Sequence, residues 1–165
     1  MAHQLGQNFE RAVVKAFNDY FIESGIKGYA YRMHQTKFLP QDIDILVDSP
    51  NRNYYLAIEC KSRTISPTLK GIYFDPHMKK QITNQTIFLE KTGRAGYMAL
   101  EFRPKVPQRK APRIAFMVPH GVVYKMMLAE KPGILPDDLI GYPRLQYLHE
   151  SYIIPEELTQ NVKYK

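Results

Sequence analysis

The chain places acidic residues inside a stretch that otherwise has the apolar pattern of a buried strand. Residues 42–47 read Asp-Ile-Asp-Ile-Leu-Val. Successive side chains of a strand point to opposite faces, so we expect Asp42 and Asp44 on one face and Ile43 and Ile45 on the other. Carboxylates on a buried face need a chemical partner, because an unpaired charge away from water is costly.

A second strand-like stretch, residues 54–61, has the same feature. Glu59 and Lys61 fall on one face of it, opposite Cys60. If the two strands are neighbours in one sheet, two or three carboxylates and one ammonium converge. A magnesium ion would satisfy the carboxylates, with a backbone carbonyl and water as further ligands. The expected metal ligands are Asp42, Asp44, Glu59 and the carbonyl of Cys60.

The order of an aspartate, a spacer and Glu-x-Lys at a strand end resembles the signature of the PD-(D/E)XK nuclease superfamily. Glu10, on a probable first helix, stands where Holliday junction resolvases of this superfamily carry a further acid. The archaeal Hjc resolvases are similar around Glu10 and residues 58–61. The RecU-type resolvases are similar at residues 77–81, 93–97 and 141–148.

Two departures from the RecU-type pattern bear on the aspartate. The stretch 33–41 is too short for the stalk of those proteins, and Pro40-Gln41-Asp42 replaces the usual Pro-Asp dipeptide. The metal-binding aspartate is therefore open between Asp42 and Asp44. Asp44 is favoured because the apolar run that follows it continues the strand.

The resemblance implies an α/β fold with a restriction-endonuclease-like core, in which helices flank a mixed central β-sheet. It implies a Mg²⁺-dependent endodeoxyribonuclease, with Mn²⁺ able to substitute, that acts on four-way DNA junctions as a homodimer in the cytoplasm. Asp44 and Glu59, with Glu10, would hold the metal. Lys61 would orient the attacking water and offset charge on the transition state.

Local patterns predict the same order of elements. Helical apolar spacing covers residues 6–24, with Gly25 as a stop. Strands are predicted at residues 28–34, near 42–48 and 54–61, and at 97–103 and 113–118. The pair Asp75-Pro76 begins a second helix that Gly93 ends, and a third helix is expected at residues 122–130.

Composition limits the function classes. The 165 residues fit a single domain, 1–165, without an apolar run long enough to cross a membrane. A net charge of +7, from 23 Lys and Arg against 16 Asp and Glu, favours an anionic partner, and DNA is the expected one. The five histidines lack the paired spacing of a zinc site, and no Walker-type loop or Gly-x-Ser-x-Gly elbow is present.

Several polar residues are candidates for contacts with nucleic acid. Residues 103–113 hold five basic residues and no acid, which suits phosphate contact but also a solvated loop. Tyr73 and Phe74 are candidates for stacking on bases or for ordinary packing. The expected nucleic-acid contacts are Arg32, Arg63, Lys80, Gln81, Arg109, Lys110 and Arg113.

Each candidate also has a structural interpretation. The alternative for the motif residues is a structural salt-bridge cluster of Asp44, Glu59 and Lys61. Glu10 would then be a solvated helix residue, and Arg32 would only pair with an acid. Two functional alternatives remain beside the resolvase: another nuclease of the superfamily, of restriction or repair type, and a DNA-binding module without activity.

Overall fold

A computed structural model describes residues 2–34, 42–105, 113–156 and 158. The helices in this part of the chain are α1 (Ala2–Ser24), α2 (Pro76–Thr92) and α3 (His120–Leu128). The strands are β1 (Tyr29–Arg32), β2 (Ile45–Asp48), β3 (Leu56–Ile65), β4 (Ile72–Tyr73), β5 (Ala95–Pro104), β6 (Ile114–Pro119), β7 (Gly133–Ile134), β8 (Arg144–Leu148) and β9 (Ser151–Ile153). Short 3₁₀ turns occupy Arg52–Tyr54 and Pro136–Leu139.

The two long helices form for the reasons expected from the sequence. Along α1, Phe9, Val13 and Phe17 recur at four-residue spacing and are buried. Helix α2 begins where the Asp75 side chain accepts a hydrogen bond from the backbone N–H of Met78. It ends at Gly93, whose φ of 67° is a left-handed conformation that glycine adopts readily. The predicted helix limits are therefore confirmed for α2.

Seven strands of the described chain form one mixed sheet in the order β1-β2-β3-β5-β6-β8-β9. The β3–β5 pair is parallel, and the other neighbouring pairs are antiparallel. Helix α1 packs on one face and touches both β1 and β9, so the sheet curls around it. Helices α2 and α3 pack against β5 on the other face.

The fold class predicted from the sequence is confirmed. A curled mixed sheet is flanked by helices, and α1, β1–β3, α2 and β5 follow the order expected of a restriction-endonuclease-like core, with the short β4 before α2. None of the helices in the described part of the chain has the length and apolar character needed to span a membrane.

The strand alternation predicted for residues 42–47 is wrong at its start. Strand β2 begins only at Ile45, and the chain bends at Asp44. Ile45 and Val47 pack in the cluster beneath α1, whereas Ile43 packs with Leu46 on the other side of the sheet. The strict two-residue period applies only within a hydrogen-bonded strand, and Ile43 lies before it.

Strand β3 is longer than predicted. The last third of the chain also contains strands that the sequence did not predict. β3 continues to Ile65 because β5 pairs with it along ten residues, from Leu56 opposite Ala95 to Ile65 opposite Pro104. Strands β8 and β9 form a hairpin in a region for which the sequence predicted no element. In both cases the pairing partner, rather than local preference, decides the structure.

Candidate functional site

An open cleft of about 600 Å³ lies where α1, the end of β1, the start of β2, β3 and α2 meet. Its lining is rich in charge and brings together residues from α1, β1, β3, α2 and the segment just before β2. The charged residues that line it are Glu10, Arg11, Arg32, Asp44, Glu59 and Lys61. All four predicted catalytic residues, Glu10, Asp44, Glu59 and Lys61, therefore reach one cleft.

Pairing of β2 with β3 fixes the Asp44 carboxylate beside Glu59. The two strands pair with Ile45 opposite Ile58, and the backbone N–H of Asp44 donates to the Ile58 carbonyl at 3.2 Å. The backbone N–H of Cys60 in turn donates to Oδ2 of Asp44 at 2.8 Å. The strand that carries Glu59 thus also holds the side chain of Asp44.

Glu59, Lys61 and Gln81 form a closed hydrogen-bonded triangle. Lys61 Nζ lies 2.7 Å from Oε1 of Glu59 and 2.7 Å from Oε1 of Gln81. Gln81 Nε2 donates to the same Glu59 oxygen at 2.6 Å. Glu59 is 1% exposed, and its second oxygen, Oε2, is buried with no hydrogen-bond partner among the described residues.

The charges around the triangle shift the pKa values of Glu59 and Lys61. Burial and the negative charge of Asp44 raise the pKa of Glu59 well above its usual value. Burial works against the charge of Lys61, but Glu59 and Asp44 outweigh it and raise the pKa of the ammonium. The single ammonium therefore stays charged, while the negative charge of the buried Glu59 is only partly compensated, which is why its pKa is raised.

The oxygen atoms present fit a hard divalent cation. Glu59 Oε2, buried and without a hydrogen-bond partner among the described residues, suits a positive group, and Asp44 supplies a second carboxylate in the same cleft. Within the described residues no group of three or more His, Cys, Asp and Glu side chains is arranged as a metal site. Magnesium commonly uses one or two carboxylates and keeps several waters, so Asp44, Glu59 and the Cys60 carbonyl remain a suitable set.

Asp42 is placed differently from the other predicted ligands. It does not line the cleft. Its backbone carbonyl accepts a hydrogen bond from Nε2 of the buried Gln85 on α2 at 2.7 Å. Of the two aspartates that the sequence left open, the structure brings Asp44 to the cleft, because Asp42 precedes the bend that starts β2.

Glu10 and Arg32 meet across the mouth of the cleft. Arg32 donates from Nε to Oε2 of Glu10 at 2.8 Å, and its Nη2 lies 2.5 Å from the same oxygen. Both side chains are mostly buried. Arg32 therefore pairs with an acid, the alternative that the sequence had left open beside phosphate contact.

The other predicted nucleic-acid contacts are dispersed. Gln81 lies in the cleft, and Arg63 is exposed in an adjoining cavity. Lys80 is exposed on α2 but does not line the cleft. Arg113 does not line the cleft either, and its guanidinium lies over the Tyr147 ring at 4.9 Å from the centroid. Arg109 and Lys110 lie outside the described residues.

A second buried glutamate, Glu101 on β5, was not predicted. The hydroxyl of Tyr152 donates to its Oε1 at 2.7 Å, and Ser62 donates to Oε2. Arg103 Nε lies 3.3 Å from Oε2. The sequence does contain a signal for this residue, because Glu101 interrupts an apolar strand in the same way as Glu59. Arg11 and His77 also line the cleft, and exposed polar residues of this kind leave no sequence signal.

Comparisons with known proteins add little to the site. No protein-family model matches the chain, and no curated protein matches its sequence. Among solved structures, the chain is similar to Hjc, a Holliday junction resolvase from the archaeal hyperthermophile Archaeoglobus fulgidus. The two are 18% identical, with a TM-score of 0.39, over 88% of this chain and 90% of that one. A likeness this loose carries no functional conclusion.

The raised pKa of Glu59 predicts a pH-dependent stability of the metal-free protein. As pH rises above the ordinary glutamate value of 4.5, the unfolded chain loses this proton before the folded chain does. The free energy of unfolding should therefore fall with rising pH in this window. Urea unfolding in EDTA at several pH values measures the slope, and Glu59→Gln should remove it. Glu90→Gln, an exposed change on α2, is the control; an equal slope in Glu59→Gln protein would contradict the assignment.

Proposed function

We propose that the chain is a metal-dependent endodeoxyribonuclease that hydrolyses phosphodiesters in branched DNA. One observation carries the proposal: Glu59 Oε2 is buried without a hydrogen-bond partner in the described part of the chain, beside a second carboxylate, Asp44, in an open cleft that also presents Lys61. A perturbed acid, a second acid and a cation in a cleft are typical of catalytic sites. The net charge of +7 supports a polyanionic substrate.

The contrast with Glu101 argues against a purely structural role for Glu59. Both glutamates are 1% exposed and lie on neighbouring strands. Both oxygens of Glu101 accept hydrogen bonds from hydroxyl groups, which is the pattern of a settled structural acid. Glu59 keeps one oxygen at a cleft that no described residue satisfies, which is costly unless a ligand completes it.

The residues of the cleft divide the chemistry among them. A bound divalent cation would supply Lewis-acid polarisation of the phosphate and a more acidic water. Asp44 and Glu59, with the Cys60 carbonyl, would hold that cation. Lys61 would orient the water and place positive charge where the transition state gains negative charge. Gln81 keeps the ammonium in place, since it bonds both Lys61 and Glu59.

The acids give the first functional prediction. Glu59→Gln and Asp44→Asn should abolish cleavage of a labelled four-way junction in Mg²⁺, because they remove negative charge without removing volume. Asp42→Asn should have a smaller effect, since Asp42 lies outside the cleft. Asp48→Asn, at the far end of β2, is the matched control and should cut normally. Activity in Asp44→Asn but not in Asp42→Asn protein would reverse the choice of aspartate.

Lys61 gives the second functional prediction. Lys61→Ala should slow cleavage by about 10²–10⁴-fold, the range for losing one positioned group that transfers a proton or stabilises charge. Single-turnover cleavage at saturating Mg²⁺ measures the step. Lys91→Ala, an exposed change in the last turn of α2, should leave the rate unchanged. Near-normal turnover by the Lys61→Ala protein would assign Lys61 a structural role.

Preference for a four-way junction is the finer part of the proposal. Two symmetric cuts require two sites, so the active form would be a two-fold homodimer. Neutralisation of phosphates is nearly indifferent to branching, so a basic surface alone does not produce this preference. We expect a dimer by light scattering that binds and cuts a junction in preference to a flap or linear duplex of the same sequence.

The same substrates separate the alternatives. A monomer that cuts all three substrates equally would be a general restriction or repair nuclease. A protein that binds DNA but cuts none of them in Mg²⁺ or Mn²⁺ would be a binding module without activity.

A further inference from the structure

A smaller cavity of about 200 Å³ adjoins the cleft on the side of α2. We call it the side cavity. Lys61 and His77 line both spaces, so the cleft continues into it. Arg63 and Tyr73 also line it, together with the acid Asp75. A strand of DNA that lies across Lys61 has a path into the side cavity.

The ring of Tyr73 is exposed, but its support is rigid. Tyr73 is 41% exposed, whereas its neighbours Ile72 and Phe74 are each 7% exposed and belong to the core beneath α2 and α3. Strand β4 pairs with β7, with Tyr73 opposite Gly133. The backbone N–H of Phe74 donates to the Pro132 carbonyl at 3.0 Å. The backbone that carries the ring is therefore bonded to residues 132–133, and the residue on either side of Tyr73 is anchored in the core.

Because Gly133 has no side chain, the Tyr73 ring can lie close to the backbone of β7. A Cβ atom at Gly133 would lie 3.0 Å from Cδ1 of Tyr73 and 2.6 Å from the carbonyl oxygen of Ile72. Any larger residue there would push β4 outward. An exposed aromatic ring on a preorganised backbone loses little conformational freedom when it binds, which favours a role in recognition.

The charges around the ring suit a nucleotide. Lys61 and Arg63 are two residues apart on β3 and so project to the same face, about 7 Å apart along the strand. Arg63 is exposed, and no ion pair is recorded for it among the described residues. The nearby Asp75 carboxylate is used by the N–H of Met78 as a helix cap. A phosphate beside Arg63 would leave its base over Tyr73.

We infer that Tyr73 is a stacking platform for an unpaired nucleobase next to the scissile phosphate, with Arg63 contacting the adjoining phosphate. The inference rests on the proposed function, because it takes DNA as the ligand of the cleft. The sequence offered the same two interpretations, base stacking or ordinary packing, for Tyr73 and Phe74. In the structure Tyr73 lines the side cavity, whereas Phe74 packs in the core. Every base has an aromatic face, so this contact supports local unstacking without reading sequence.

A double-mutant cycle between protein and DNA tests the inference. Binding is measured in EDTA, so that cleavage plays no part, on junctions with one abasic nucleotide scanned across the branch point. Tyr73→Ala should weaken binding of intact DNA about 5- to 150-fold, the range expected for one base stacked on an aromatic ring. An abasic nucleotide at the contacted position should weaken wild-type binding similarly and cause no further loss in Tyr73→Ala protein.

Two controls define the outcomes. Tyr73→Phe keeps the ring and should bind as wild type, and Tyr29→Ala removes a ring that is more exposed than Tyr73 (64% against 41%) and lines neither space. Unchanged binding by Tyr73→Ala, or losses that add at every abasic position, would overturn the inference even if Mg²⁺ cleavage is normal. Coupling between Tyr73 and one abasic position, without any cleavage in Mg²⁺, would support the stacking role and refute the hydrolase proposal.

Discussion

The hydrogen bond from the Cys60 backbone N–H to the Asp44 carboxylate is the contact on which the site depends. It links the residue before β2 to the middle of β3 and holds the Asp44 carboxylate beside Glu59, in the register that the pairing of the two strands sets. A backbone donor has little freedom to move once β3 is paired on both sides, with β2 and with β5. The position of the first acid is therefore set by the sheet rather than by a flexible side chain.

Helix α2 supplies a second constraint on the site, because two of its glutamine side chains bond the segments that carry the acids. Gln81 bonds the Glu59–Lys61 pair, and Gln85, one turn later, bonds the Asp42 carbonyl just before the bend at Asp44. Residues four apart share a helix face, so one helix holds both halves of the site. Gln85 is itself buried, with Oε1 unpartnered among the described residues. The cost of burying these amides is consistent with a site that has to keep two like charges close together.

Much of this arrangement was predictable because it depends on local rules. Acids inside apolar strands, the Asp75 cap and Gly93 identified the two motif strands and the limits of α2 before any geometry was known. Ile43 shows where such rules fail: the two-residue period is a property of a paired strand, and the pairing begins two residues later. Glu101 depends on Tyr152, and β8 joins the sheet through β6; both partners are far away in sequence, and no local pattern identifies them. The Glu10–Arg32 pair lies between these cases, since both residues were selected but their contact arises only when β1 is laid against α1.

Helix α1 joins the two ends of the described chain. Phe9 packs edge-on against Tyr152 of β9, with ring centroids 5.6 Å apart, and the same helix carries Glu10 into the cleft. During synthesis α1 emerges before the rest of the described chain, and part of its apolar stripe has no cover until β9, far later in the sequence, has been made. Contacts so distant in sequence are slow to form, because closing the long intervening loop costs entropy first. The cleft is thus complete only after β9 has been made, and a nascent chain that stops before β9 would carry the acids of the site without the packing that holds Glu10 in place.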